Sequence, residues 1–341
     1  MAAPRVAVAG ATGAVGREIL RILEERETPV GTLVPLASAR SAGTRLRFRG
    51  QEVEVRPLDA QDWSEIDLAL FSAGATVSRE VAPRAVEAGT IVVDNSSAWR
   101  MDPGVPLVVP EINAHALEGH RGIVANPNCT AIVALMALAP LHRAAGLSSV
   151  IISSYQSVSG AGHRGVTELL EQVEKLRGQE EDLTHPDLDA LPRGEIFGPT
   201  IAYNVVPRAG SFEDDGFTSE ERKLADESRK ILELPGLPVV GTVVRVPVIA
   251  GHAVSIHAIF ERDLSPAAAW ETLHAAEGVR VVDDPASDLF PTPLESAGTD
   301  DVLVGRIRRA AERSLLLFAA GDNLRKGAAL NAVQIAERLL G

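Results

Sequence analysis

The sequence predicts an α/β protein: a doubly wound parallel sheet of Rossmann type, followed by an α+β region with a mixed sheet. Two observations carry this reading. Up to about residue 128, short and continuously apolar runs alternate with helix-spaced segments, as in parallel strands buried on both faces. Beyond that point longer strand-like runs dominate. The chain has 341 residues, more than the roughly 100–200 of one domain, so two domains are expected.

In order, residues 5–9 form a first strand closed by Gly10, and Val15, Ile19, Leu20, Ile22 and Leu23 have helical spacing. Strands are expected at 32–37, 67–71 and 90–94, with a helix at 77–87. Residues 131–145 read as a helix, 147–157 as a long strand and 162–177 as another helix. Segment 179–217 is rich in Pro, Gly and acids and has no clear period. A connection that long is usually functional or an interface arm. Residues 218–232 are helical, with Thr218 and Glu221 spaced as a capping box. Strands at 239–248 and 253–260 join through a turn at Gly251, and 302–307 and 314–319 read as an antiparallel pair. The last segment, 323–340, has the pattern of an amphipathic helix. The expected domains are 1–128 rejoined by 323–341, and 129–322 between them.

Composition excludes several classes. The formal charge of −13 argues against broad contact with nucleic acid or an anionic membrane. No apolar run approaches the roughly 20 residues of a membrane span. One cysteine allows no intrachain disulfide, and Met1 to Arg5 leads straight into a strand without a signal-peptide pattern. A cytoplasmic protein is expected. No metal-ligand cluster is legible.

The run Gly10-Ala11-Thr12-Gly13-Ala14-Val15-Gly16 joins the first strand to the first helix. Glycines there let the backbone approach a pyrophosphate, whose charge rests on the helix N-terminus. The spacing is GxxGxxG, and a plain strand-to-helix turn is the competing reading. At the end of the second strand, a ribose-binding acid would indicate NAD. The chain instead has Ser38, Arg40 and Ser41 without an acid, which suits a 2′-phosphate. NADP is the expected cofactor.

Cys129 follows Asn126-Pro127-Asn128. Pro127 disfavours a helical Asn126, so a helix begins just beyond and Cys129 sits near its N-terminus. The dipole there favours thiolate, and backbone and Asn128 donors suit an oxyanion. A lone cysteine is otherwise often a small buried hydrophobe. A thiolate nucleophile needs a proton manager. Of the eight histidines, His252 stands apart, because it follows Gly251 in the turn between two strands. Arg245 interrupts an apolar strand and suits a substrate carboxylate or a structural acid. Glu220 and Lys223 share a helix face, as a surface pair also would.

These pieces resemble the aspartate-semialdehyde dehydrogenase family over essentially the whole chain. The carrying motifs are the glycine run; Asp94-Asn95-Ser96-Ser97-Ala98-Trp99-Arg100; Val108-Val109-Pro110-Glu111-Ile112-Asn113; and Asn126-Pro127-Asn128-Cys129-Thr130. Further on come Tyr155-Gln156-Ser157-Val158-Ser159-Gly160-Ala161-Gly162, Arg245-Val246-Pro247 with Gly251-His252, and Asp322-Asn323-Leu324-Arg325-Lys326-Gly327-Ala328-Ala329. Ala131 departs where many relatives repeat threonine, and Trp99 stands for a frequent phenylalanine.

The resemblance implies Cys129 as acyl-thioenzyme nucleophile, His252 as acid/base and Gln156 as an orienting group. It implies Arg245 on the substrate α-carboxylate, Glu220 on its amino group, and Arg100, Lys223 and Asn128 on phosphate. NADP would be held by Gly10, Thr12, Gly13, Ala14, Val15, Ser38, Arg40, Ser41, Ser159, Gly160 and Asn323. The implied reaction is NADPH-dependent reductive dephosphorylation of L-aspartyl 4-phosphate to L-aspartate 4-semialdehyde, in lysine, threonine, methionine and diaminopimelate biosynthesis. A homodimer, or a dimer of dimers, is implied as well. Alternatives are another acyl-phosphate reductase, such as N-acetyl-glutamyl-phosphate reductase or a glyceraldehyde-phosphate dehydrogenase, and an inactive NADP-binding paralogue. The first two carry Pro-Gly-Cys or Ser-Cys-Thr-Thr-Asn-Cys where this chain has Asn-Pro-Asn-Cys. The third would have lost Cys129, His252 or Gln156.

Overall fold

The computed structural model describes residues 3–341, so Met1 and Ala2 of the N-terminal reading lie outside the described residues. In chain order the strands and α-helices are β1 Arg5–Ala9, α1 Ala14–Glu25, β2 Thr32–Ala37, β3 Arg45–Phe48, β4 Gln51–Glu54, β5 Arg56–Pro57, β6 Leu68–Phe71, α2 Ala75–Glu87, β7 Ile91–Asp94, α3 Pro110–Asn113, β8 Ile123–Ala125 and α4 Cys129–Ala145. There follow β9 Leu147–Gln156, α5 His163–Lys175, α6 Ser219–Ile231, β10 Val239–Arg245, β11 His252–Phe260, α7 Pro266–His274, β12 Val279–Val281, α8 Pro293–Ser296, β13 Val302–Ala311, β14 Ser314–Gly321 and α9 Leu330–Leu340.

The chain divides into two compact units. The first takes the described chain up to Ala139, with Asp226–Leu237 and Leu324–Gly341. Its six-stranded sheet runs β5-β2-β1-β6-β7-β8, and every pairing is parallel. Strand order reverses beside β1, which makes the carboxyl ends of β1 and β6 the ligand crevice of a doubly wound sheet. Both faces are covered. Val6 and Val8 pack with Ile19 and Leu23 of α1 and Val333 and Ile335 of α9. Ala7 and Ala9 pack with Trp63, Phe71, Val81 and Ala85 on the opposite face. This two-sided burial explains why these strands are apolar throughout rather than alternating.

Pro140–Ala225 and Pro238–Asn323 make the second unit. Its six-stranded sheet runs β10-β9-β11-β14-β13-β12. The β9–β10 and β12–β13 pairs are parallel and the others antiparallel. This is the expected mixed sheet. β10 and β11 are consecutive but not paired, since β9 lies between them. Segment 179–217 is largely irregular and is anchored by α5. Glu168 accepts from the backbone of Ile196 and Phe197, and Gln172 from Ile201 and Ala202. Phe197, Ile201 and Val206 join Val158 and Leu169 in a core.

Several expectations need correction. The terminal helix does not start at 323: a π-turn at Arg325–Ala329 leads into α9, and Asn323 falls in the second unit. β10 stops at Arg245, short of 248, because Pro247 has no N–H to continue the ladder. The β3–β4 hairpin was not foreseen. Its turn residues Arg49 and Gly50 both have positive φ, 48° and 75°, and an arginine there gives no turn signal. β5 and β12 are two and three residues long, too short to show a period.

Candidate active site

The first unit carries the glycine run and Cys129. Gly10 turns the chain at φ +83°, and its N–H bonds Leu36 O at 2.8 Å. A Cβ on Gly16 would lie 2.2 Å from Gly10 O, so helix and loop touch backbone to backbone. Gly13 caps α1 without a side chain. The first N–H groups of the helix are then available to an anion. Thr12 and Val15 are half-buried, and Gly13 and Ala14 exposed. Ser38 and Arg40 are exposed beside the half-buried Ser41, in a short turn after β2. Backbone donors therefore lie open at the crevice, and the Arg40 guanidinium has no acid beside it in sequence.

Cys129 is the first residue of α4 and is half-buried. Asn128 is the N-cap. Its Oδ1 accepts from Thr130 N at 2.9 Å, and its backbone O from Ile132 N. Residues 131–139 of α4 are buried all round, which roots Cys129 on a rigid element.

Arg100 is also buried and is held three ways. Nε donates to Asn126 O at 2.9 Å, Nη1 to Glu227 Oε1 at 3.0 Å and Nη2 to Asn95 O at 2.8 Å. A guanidinium has more N–H donors than these bonds use, so an anion can still be bound. A polar chain supports the same loop. Asn126 Nδ2 donates to Asn95 Oδ1, and Asn331 Nδ2 to Asn126 Oδ1 at 2.7 Å. Lys326 Nζ, fully buried, donates to Asn331, Gln334 and both oxygens of Glu111. Burial alone would raise the Glu111 pKa, but the Lys326 charge and hydrogen bond hold it below the usual value.

The second unit gathers a different set. In the parallel register Arg245 lies opposite Gln156, and Ala253 pairs with Tyr155. The end of β9 therefore collects Gln156, Arg245 and His252 from three strands. Arg245 Nη1 donates to Ser157 O at 2.7 Å. His252 Nδ1 accepts from Ser157 N at 3.1 Å and sits 3.0 Å from Ser157 Oγ. A Cβ on Gly160 would meet Arg245 Nη1 at 2.8 Å and His252 Nε2 at 3.0 Å. Glycine thus allows both groups to reach the same spot. Burial, then the Arg245 charge, pushes the His252 pKa down to about 3, although the ring's interaction with the Gly251 backbone works the other way. Its imidazole is neutral at pH 7. With Nδ1 accepting, the proton belongs on Nε2.

Asn323 braces this turn. Its Oδ1 accepts from Gly251 N at 2.9 Å and Ser157 Oγ at 3.0 Å, and its Nδ2 donates to Ser159 Oγ at 3.0 Å. The bracing of the histidine turn by Ser157, Ser159 and Asn323 was not anticipated. Glu220 and Lys223 form an ion pair of 2.7 Å on α6, partly shielded from solvent. The structure brings Arg100, Asn128 and Cys129 together in the first unit. It brings Gln156, Gly160, Arg245, His252 and Asn323 together in the second. Sequence reading missed Glu227 and Asn331, and gave Lys326 only as part of a motif. Glu227 lies seven residues after Glu220, two helical turns on, which was the one signal available.

Two family models match most of the chain. Residues 5–120 match the family model described as semialdehyde dehydrogenase, NAD binding domain, and 138–326 the model described as semialdehyde dehydrogenase, dimerisation domain. The aspartate-semialdehyde dehydrogenase of Mycolicibacterium smegmatis is 51% identical, with 98% of each chain covered. The chain belongs to the aspartate-semialdehyde dehydrogenase family. Within it, the Bacillus subtilis relative is 45% identical over 98% of this chain and 96% of its own. Aspartate semialdehyde dehydrogenase II of Vibrio cholerae, also solved in complex with ASA, superposes with a TM-score of 0.92 at 42% identity, covering 98% of both chains. Family membership makes the chain an enzyme of the oxidoreductase class.

Proposed function

We propose that the chain catalyses the reversible, NADPH-dependent reductive dephosphorylation of L-aspartyl 4-phosphate to L-aspartate 4-semialdehyde. The observation that carries this is the Asn128-capped Cys129 at the start of α4, in a chain about half identical to a named aspartate-semialdehyde dehydrogenase. The relatives reported above bear that name and not that of N-acetyl-glutamyl-phosphate reductase.

The thiolate of Cys129 attacks the acyl carbon of aspartyl phosphate, the carbon–oxygen bond to phosphate breaks, and a thioester remains. Bound NADPH supplies a hydride to the thioester carbon. The resulting thiohemiacetal collapses to the semialdehyde and regenerates the sulfur leaving group, and a proton is taken up. His252 is the acid/base group assigned to that proton, which it can give up only after its neutral ring has first taken one on. The covalent route divides one reduction into easier steps. Arg245 takes the α-carboxylate with Glu220 on the amino group, and Gln156 orients the acyl group. Arg100, Lys223 and Asn128 receive the phosphate. An anion on Arg245 also offsets the positive charge that disfavours a protonated His252.

NADP rather than NAD is supported by the exposed Arg40 with Ser38 and Ser41, where no acid follows β2. The residues we assign to the cofactor are Gly10, Thr12, Gly13, Ala14, Val15, Ser38, Arg40, Ser41, Ser159, Gly160 and Asn323. In functional terms, we assign NADP binding and the Cys129 nucleophile to the first unit, and the His252–Arg245 set and dimerisation to the second. A homodimer, alone or paired into a dimer of dimers, is supported by the outward face of the mixed sheet, where Ile151, Tyr155 and Val240 are exposed. A cytoplasmic role in lysine, threonine, methionine and diaminopimelate synthesis completes the reading. Among the described residues no helix is long and apolar enough to cross a membrane.

The test is phosphate-dependent reduction of NADP with aspartate semialdehyde, run beside NAD. Turnover with NADP that Cys129→Ala abolishes is expected. Turnover that survives the substitution removes Cys129 as nucleophile, and no turnover by the native chain removes the reaction.

A further inference from the structure

Glu227 has no role in the chemistry above, yet it joins two groups that do. The side chain is fully buried. One carboxylate oxygen takes Arg100 Nη1 at 3.0 Å, and the other takes the backbone N–H of Asn128 at 2.6 Å. All these residues belong to the first unit. An acid with one oxygen on the guanidinium and one on the cap of the Cys129 helix ties the position of one to the position of the other. Charge-assisted bonds of this kind are short and directional.

The neighbouring turn of α6 works in the same direction. Lys230 Nζ donates to the backbone oxygens of Arg100, Asp102 and Val105, at 2.7, 2.8 and 2.9 Å. One short stretch of helix therefore holds the Arg100 loop by its backbone and by its side chain. We propose that Glu227 is a positioning residue for the reaction, setting the phosphate-binding guanidinium of Arg100 and the Asn128–Cys129 turn in fixed register. This rests on the reading of Cys129 as nucleophile and Arg100 as phosphate site. Attack on the acyl carbon passes through a tetrahedral intermediate from which phosphate leaves, so sulfur and phosphate site must hold a fixed separation, and small displacements of either are costly in rate.

Glu227→Gln keeps the shape but removes the charge and one acceptor. It is expected to lower kcat about tenfold or more, with the KM for aspartate semialdehyde changed less than about threefold. In a cycle with Arg100→Lys the two losses should fall short of multiplying, because each breaks the same link. The pH midpoint of Cys129 alkylation by iodoacetamide should move down in Glu227→Gln, since an anion leaves the helix N-terminus. NADP binding and thermal unfolding report whether the variant is folded. Should Glu227→Gln not fold, Arg100→Lys alone is still expected to change the alkylation rate of Cys129. Unchanged kcat, fully multiplying losses, or an unmoved Cys129 in both variants overturns the proposal. A native protein without turnover counts against the reaction, while the alkylation experiment still tests the Glu227 link.

Discussion

His252 Nδ1 accepts the backbone N–H of Ser157 at 3.1 Å. This bond places the imidazole proton on Nε2 and, in a fully buried site, keeps the ring neutral. The pKa is lowered to about 3 from 6.5, by burial first and by Arg245 second. Between those values the unfolded chain binds a proton that the folded chain refuses. Stability therefore rises with pH through this window and is flat, for this group, above about 6.5. His252→Asn should remove a contribution of ~1.4 kcal/mol per pH unit below 6.5. Urea unfolding of both proteins between pH 4 and pH 8 checks it. A stability difference independent of pH would contradict the neutral histidine.

Gly160→Ala tests the packing between Arg245 and His252. The new methyl would stand 2.8 Å from Arg245 Nη1 and 2.9 Å from His252 Cε1. Arg245 cannot yield freely, because its Nη1 is bonded to Ser157 O. Since Gly160 is exposed and its φ is not positive, the strain should be borne by the two side chains rather than by the fold. A loss of about tenfold or more in kcat/KM is expected, with a change in Tm of only about 2 °C. Steady-state kinetics and a thermal melt decide; full activity would show that the pair tolerates displacement.

The glycine run yields an ordered pair of variants. Alanine at Gly16 meets Gly10 O at 2.2 Å, whereas at Gly13 the nearest atom, also Gly10 O, is 3.3 Å away. Backbone cannot move aside as a side chain does. Gly16→Ala should weaken NADP binding by about tenfold or more, and Gly13→Ala much less. Fluorescence titration with NADPH measures both, and equal affinities would show that the crevice does not depend on this close approach.

Lys326→Met leaves the Glu111 carboxylate buried without its ammonium. Breaking one side of a buried pair costs about 3–5 kcal/mol, and Asn331 and Gln334 lose a donor as well. Adding Glu111→Leu to Lys326→Met should recover much of the loss. Chemical unfolding of the single and double variants gives the cycle, and additive losses would mean the pair is not coupled.

Much of the fold was legible in the sequence because its carriers are local. β1, β2 and β7 are apolar runs bounded by turn residues, and the Thr218–Glu221 box was realised, with Glu221 Oε2 accepting from Thr218 N at 2.7 Å. The Asn128 cap of the Cys129 helix follows from neighbours in the chain. Less legible were β5, β8 and β12, which are two or three residues long. These strands exist only because a neighbouring strand supplies the ladder.

By itself, the sequence determined the α/β class, the glycine crevice, the helix that presents Cys129 and the choice of His252 and Arg245 as candidates. All depend on residue type, spacing and backbone preference within a few positions. Tertiary structure alone decided the rest. It set β9 between β10 and β11, and so put Gln156, Arg245 and His252 at one strand end. It turned Asn323 onto Gly251 and Ser157, and Glu227 onto Arg100 and Asn128 across 127 and 99 positions. The reason is physical: a buried polar group must find a partner, and which one it finds depends on how the elements pack.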